Sequence, residues 1–109
     1  MATFVTIGYG DQEGYDRTAP SVRKAAHEQD ARLEAAGALV GVARDLVQVR
    51  NHDAAGVQTA GGPFMRSELP IAGFAVIEAA DMEEAVALVS TTPCAVARGV
   101  VEVWALESP

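Results

Sequence analysis

Phe4, Val5, Thr6 and Ile7 open the chain as a run of β-favouring side chains stopped by Gly8 and Gly10, which predicts a first strand over Ala2 to Ile7. The period then changes. From Ala19 to Ala36, the residues Val22, Ala25, Ala26, Gln29, Leu33 and Ala36 fall within one narrow sector at roughly 100° per residue, the mark of an amphipathic helix. Pro20 suits its first turn, and Gly37 follows its last periodic residue as a C-terminal cap. Ala38 to Val42 is a short apolar run that predicts a second strand, in which Gly41 permits a bulge or a close backbone approach. Leu46 to Arg50 and Val57 to Thr59 alternate apolar and polar residues on either side of the segment Asn51 to Gly56. They predict a protruding hairpin, which Gly61-Gly62-Pro63 ends.

The second half repeats the scheme. Ala72 to Ala79 is a nearly unbroken apolar run suited to a central strand covered on both faces. Asp81 with Glu84 three residues later has capping-box spacing, and Met82, Ala85, Val86 and Val89 then form the apolar face of a second helix that ends before Pro93. The last strand, Gly99 to Leu106, places Val101, Val103 and Ala105 on one face and Val100, Glu102, Trp104 and Leu106 on the other. The order is β, α, β, hairpin, β, α, β. With right-handed crossovers this predicts an α+β, ferredoxin-like βαββαβ layout, two helices on one face of a mostly antiparallel sheet, with an inserted hairpin. Yet the strands carry apolar residues on both faces: Phe4 and Val5, Phe74 and Ile77, Val101 and Trp104. The uncovered face needs a partner, and closed two-fold pairing, a homodimer, is the commonest way to supply one.

Composition narrows the class. A chain of 109 residues, half of them hydrophobic and 21% charged, has the size and usage of a single globular domain, and no linker or low-complexity tract divides it. Eight basic against fifteen acidic residues give a net charge of −7, which repels polyanions and makes nucleic acid an unsuitable partner. Neither a long apolar segment nor a basic leader is visible, so the expected setting is the cytoplasm, away from the membrane. The single cysteine, Cys94, excludes an internal disulfide and reads as a small hydrophobe rather than a reactive thiol, because its neighbours are apolar and no cation lies close. Neither a metal site nor a cofactor is expected: the two His and one Cys show no ligand spacing, and Gly8-Tyr9-Gly10 lacks the rest of a nucleotide-binding loop.

Several blocks in order resemble one family. These are Ile7-Gly8-Tyr9-Gly10-Asp11, Leu33 to Gly41, Gly61-Gly62-Pro63-Phe64, Ala72 to Ala85 and Gly99 to Val103. Together they resemble the YCII-related family with its Asp-Gly-Pro-Phe signature, over nearly the whole chain. The resemblance implies the dimeric α/β-barrel form of the ferredoxin-like fold, in which two sheets face each other, and a cleft that holds a small molecule. It also implies an acid-base pair of a first-helix His with an Asp. The sequence departs from that pattern. With Gly37 fixing the register, the family's His falls on Ala26, one residue before His27, and Gly61 stands where the signature has its Asp.

Candidate site residues follow. A shift of one residue turns a helical side chain by roughly 100°, so His27 leaves the buried sector and joins Arg23, Asp30 and Glu34 in a polar stripe. That stripe is either a solvated face or a ligand contact through Arg23 and His27, with His27 the candidate acid-base group. Arg66 beside Phe64 has the donors and flat face to hold a carboxylate or aromatic ring, or else Arg66 is a loop arginine in water and Phe64 a plug. Tyr9, with Tyr15, borders the cleft or serves an interface. His52-Asp53 reads as turn chemistry at the hairpin tip.

The function these readings favour is small-molecule binding by a YCII-related protein with altered catalytic equipment. One alternative is an isomerase or lyase of a small oxygenated ring compound, working through His27 and Arg66. The other is a regulatory module linked to an extracytoplasmic-function sigma factor, which the resemblance alone implies.

Overall fold

A computed structural model describes residues 1–108. Strand β1 (Ala2–Tyr9) lies inside a four-stranded antiparallel sheet of order β2-β5-β1-β6, with β2 at Leu39–Val42, β5 at Ile71–Ala79 and β6 at Val100–Leu106. This is the ferredoxin-like α+β order, and the register pairs Phe4 with Ile77 on one side and Ala105 on the other. Because side chains alternate along a strand, that register lines Phe4, Ala75, Ile77 and Val103 toward the helices, and Val5, Ile7, Phe74, Val76 and Trp104 away from them.

Helix α2 (Pro20–Ala35) starts on its proline and ends where Gly37 takes a φ of 104°, a left-handed turn that lets the Ala38 amide reach the Leu33 carbonyl. Its buried stripe is narrower than the periodicity predicts. Ala26 and Leu33 are buried and Gln29 half-buried, whereas Val22, Ala25 and Ala36 are exposed, because α2 leans on helix α4 (Pro93–Val96) and on β2 rather than lying flat on the sheet. Helix α3 (Met82–Val89) is capped as expected: Asp81 accepts from the Glu84 amide at 2.8 Å, and Glu84 accepts from the Ala80 amide at 3.1 Å. It buries Ala85 and Val89 against Phe4, Ile77 and Ala79, which form the core.

Two short helices lie outside the predicted pattern. Helix α1 (Gln12–Asp16) is held by Asp11, whose carboxylate accepts from the Gly14 amide, and α4, opened by Pro93, places Cys94 in a single helical turn. The inserted hairpin, β3 (Val47–Arg50) with β4 (Gln58–Gly61), forms a separate two-stranded sheet. Its tip is turn chemistry: Asp53 and Ala54 have φ of 58° and 56°, and Asn51 accepts from the Gly56 amide. No helix among the described residues is long and apolar enough to cross a membrane.

Candidate functional site

The outer face of α2 gathers the polar stripe. Gly14 is buried against α4, where a Cβ would meet the Ala97 carbonyl oxygen, and Thr18 donates to the Gly14 carbonyl at 2.8 Å, so α1 is folded tightly beside the start of α2. That placement brings Tyr15 onto α2. Its hydroxyl lies 2.9 Å from His27 Nε2, with the two ring centroids 5.8 Å apart. The tyrosine donates to an imidazole protonated on Nδ1, or accepts from one protonated on Nε2. Arg23, one turn before His27, sets its guanidinium 4.8 Å over the Tyr15 ring, a cation–π contact. These three side chains, with Pro20, Lys24 and Glu28, line an open groove of about 640 Å³.

The inner face of α2 is different. Ala26 is fully buried, and His27 is exposed on the flank. Half-buried Asp30 has its carboxyl pushed up by burial, an effect that His27 opposes and Glu34 reinforces. Burial likewise pushes the Cys94 thiol up, and the charge of Asp30 adds to it, so the thiolate is disfavoured. Cys94 packs on β1: a Cβ at Gly8 would lie only 2.8 Å from its Sγ, which explains why glycine stands there.

The sheet face away from the helices holds the other concentration of chemistry. Tyr9 donates to the Glu102 carboxylate at 2.5 Å, and that hydrogen bond, with burial and the carboxylate's charge, raises the phenol's pKa. At the far end of β1, Thr3 donates to Glu78 at 2.7 Å. Between the two pairs the face is apolar: Val5, Ile7, Phe74, Val76 and Trp104, with Leu39 on β2. Trp104 is 58% exposed, Phe74 46% and Leu39 72%. The strand Ile71–Ala79, expected to be covered on both faces, is therefore covered on one within this chain.

The signature loop stands apart. Phe64 is exposed, and the guanidinium over its ring, at 5.6 Å, belongs to Arg50 rather than to Arg66. Arg66 is exposed, and no hydrogen bond, ion pair or groove joins it to His27 among the described residues. The structure thus brings Arg23 and His27 together and leaves Tyr9, Phe64 and Arg66 in separate places. Glu102 and Arg50 were not singled out from the sequence; Glu102 carried a signal, as the one acid on the Trp104 face of its strand. Among the described residues no three His, Cys, Asp or Glu side chains gather at metal-binding distance.

An antiparallel βαββαβ sheet with helices on one face and an apolar surface on the other defines a ferredoxin-like α+β protein. Residues 2–107 match the YCII-related domain, and the chain belongs to that family. No curated protein matches it.

Proposed function

We propose that the protein binds a small molecule as a homodimer, in a cleft enclosed when the open faces of two sheets meet as in a dimeric α/β barrel. The observation that carries this reading is the apolar open face with the half-buried Tyr9–Glu102 pair at its end. A ligand site is typically an apolar concavity with few convergent polar groups. Covering this face would leave Tyr9 and Glu102 as the polar contacts at one end of the cleft and Thr3 and Glu78 at the other. Catalysis by the family's acid-base pair is not part of the proposal: Ala26 and Gly61 carry no group that exchanges a proton, and a general base must reach its substrate within hydrogen-bond distance. An isomerase or lyase using His27 with Arg66 would need those residues to converge, and within one chain no contact or groove joins them among the described residues.

Trp104 is the only tryptophan and sits on the open face, which makes its emission a specific reporter. Dilution through the micromolar range should halve the mass toward the 11.4 kDa chain and shift that emission to the red. The uncharged apolar dye Nile red should bind the dimer and quench Trp104. A monomer at every concentration, with no dye binding at Trp104, would refute the reading.

A second reading has one observation in its favour. The hairpin exposes Val47, Val49 and Val57, and the loop after it exposes Phe64 and Met65, an apolar surface outside the sheet face that suits docking to another protein. A regulatory role beside a sigma factor would use that arm, and purified dimer that ignores every dye and ligand would favour it.

A further inference from the structure

From the groove beside α2 we infer a second binding site, specific for a small organic monoanion such as a monocarboxylate with an apolar body. It is distinct from the sheet-face cleft. The chain as a whole is acidic, at −7, yet the groove collects Arg23, Lys24 and His27 within five positions of one helix, against the single acid Glu28. Among the described residues, the ion pairs of the chain are Arg17–Glu13 and Arg44–Asp45; neither Arg23 nor Lys24 has a carboxylate within pairing distance. The two fixed positive charges, Arg23 and Lys24, repel each other with only Glu28 in the groove to offset them, and an anion between them relieves that repulsion.

The groove is also preorganised. Arg23 is laid flat on Tyr15 at 4.8 Å, and Tyr15 is fixed in turn by its hydrogen bond to His27 at 2.9 Å. Stacking occupies one face of the guanidinium and leaves its edge donors free, the geometry that takes a carboxylate in two parallel hydrogen bonds. Holding these side chains before the ligand arrives removes part of the ordering cost of binding. The remaining walls are apolar: the Tyr15 ring, Pro20 and the side-chain stems of Arg23 and Lys24 suit a hydrocarbon or aromatic body. Glu28 on the rim repels a second negative charge, which favours a monoanion over a dianion such as phosphate.

Benzoate, the neutral isostere benzamide and inorganic phosphate separate these requirements in an NMR titration of the intact protein. Benzoate should give saturable shifts at the His27 imidazole, the Tyr15 ring and the α2 amides, with none at His52. Phosphate should bind at least about tenfold more weakly, and benzamide should not saturate, since a charge-assisted pair is the main contact. Arg23→Ala should weaken benzoate about tenfold, and Arg23→Lys should recover part of it, both with an unchanged circular dichroism spectrum. Lys24→Ala, on an exposed side chain, should weaken benzoate without touching the Tyr15 stack. The proposal is overturned if benzamide matches benzoate, if Arg23→Ala and Lys24→Ala leave the affinity unchanged, or if benzoate quenches Trp104 without shifting His27. That last result would place the anion in the sheet-face cleft and leave the reading of that cleft standing.

Discussion

The two faces of the sheet are made from alternate residues of the same strands. On β5, Ile77 is 2% exposed and Phe74, three residues earlier, is 46% exposed; on neighbouring strands Phe4 is buried and Trp104 is not. An antiparallel sheet that meets water on one side normally alternates hydrophobic-in with polar-out. Here the outer positions are Val5, Ile7, Phe74, Val76 and Trp104, and the polar side chains, Thr3–Glu78 and Tyr9–Glu102, sit as hydrogen-bonded pairs at opposite ends. The contrast teaches that the chain is patterned for two burial events. The helices complete one, and on the proposed reading a second copy completes the other.

If the faces differ in this way, substitutions on them should fail differently. Ile77→Ala should cost about 2–5 kcal/mol of folding stability in urea, since it opens a cavity in a packed core; a cost below about 1 kcal/mol would erase the distinction. Phe74→Asp should leave a folded chain with its circular dichroism intact but weaken association by about 2 kcal/mol or more, roughly 30-fold. Unchanged association would mean that the face is not the seam. Gly8→Ala probes how tightly the covered side is filled, because the new Cβ meets Cys94 Sγ. A loss of about 1–3 kcal/mol by thermal melting is expected, relieved in part by Cys94→Ala.

The smallest effect concerns Asp30. Its folded carboxyl has a raised pKa, chiefly from burial, so protonation favours the fold. That contribution is complete below the unfolded value, about 3.9, and is lost as the pH rises through the folded one. Asp30→Asn should therefore leave stability unchanged in acid and raise it at neutral pH, by no more than about 0.5 kcal/mol because solvent screens a half-exposed group. Destabilisation at neutral pH would instead identify Asp30 as a partner that the folded chain needs charged.

Much of this fold is legible in the alternation of residues. The strands of the sheet, the two longer helices and the Asp81–Glu84 cap follow from period and spacing, since each element is long enough to show its repeat. Helices α1 and α4 are not legible, because five and four residues do not complete enough turns to reveal a period. The buried stripe of α2 is narrower than its periodicity for a tertiary reason: the helix packs against α4 and β2, and no local pattern reports those neighbours. At the site, the register from Gly37 places Ala26 inward and His27 on the flank, which is the geometry found. The Tyr15–His27 contact joins residues twelve apart through the folding of α1, and Arg50 takes the place beside Phe64 that adjacency gave to Arg66. Both depend on turns that carry little periodic signal.

The central claim, that the open face is buried by a second copy, is tested most directly by measuring molar mass and Trp104 emission together across a micromolar dilution series. The account predicts twice the chain mass of 11.4 kDa with blue-shifted emission at the concentrated end, both falling to monomer values along one curve. Phe74→Asp should move that curve to higher concentration. A mass of one chain throughout, with solvent-exposed emission at every concentration, would contradict it.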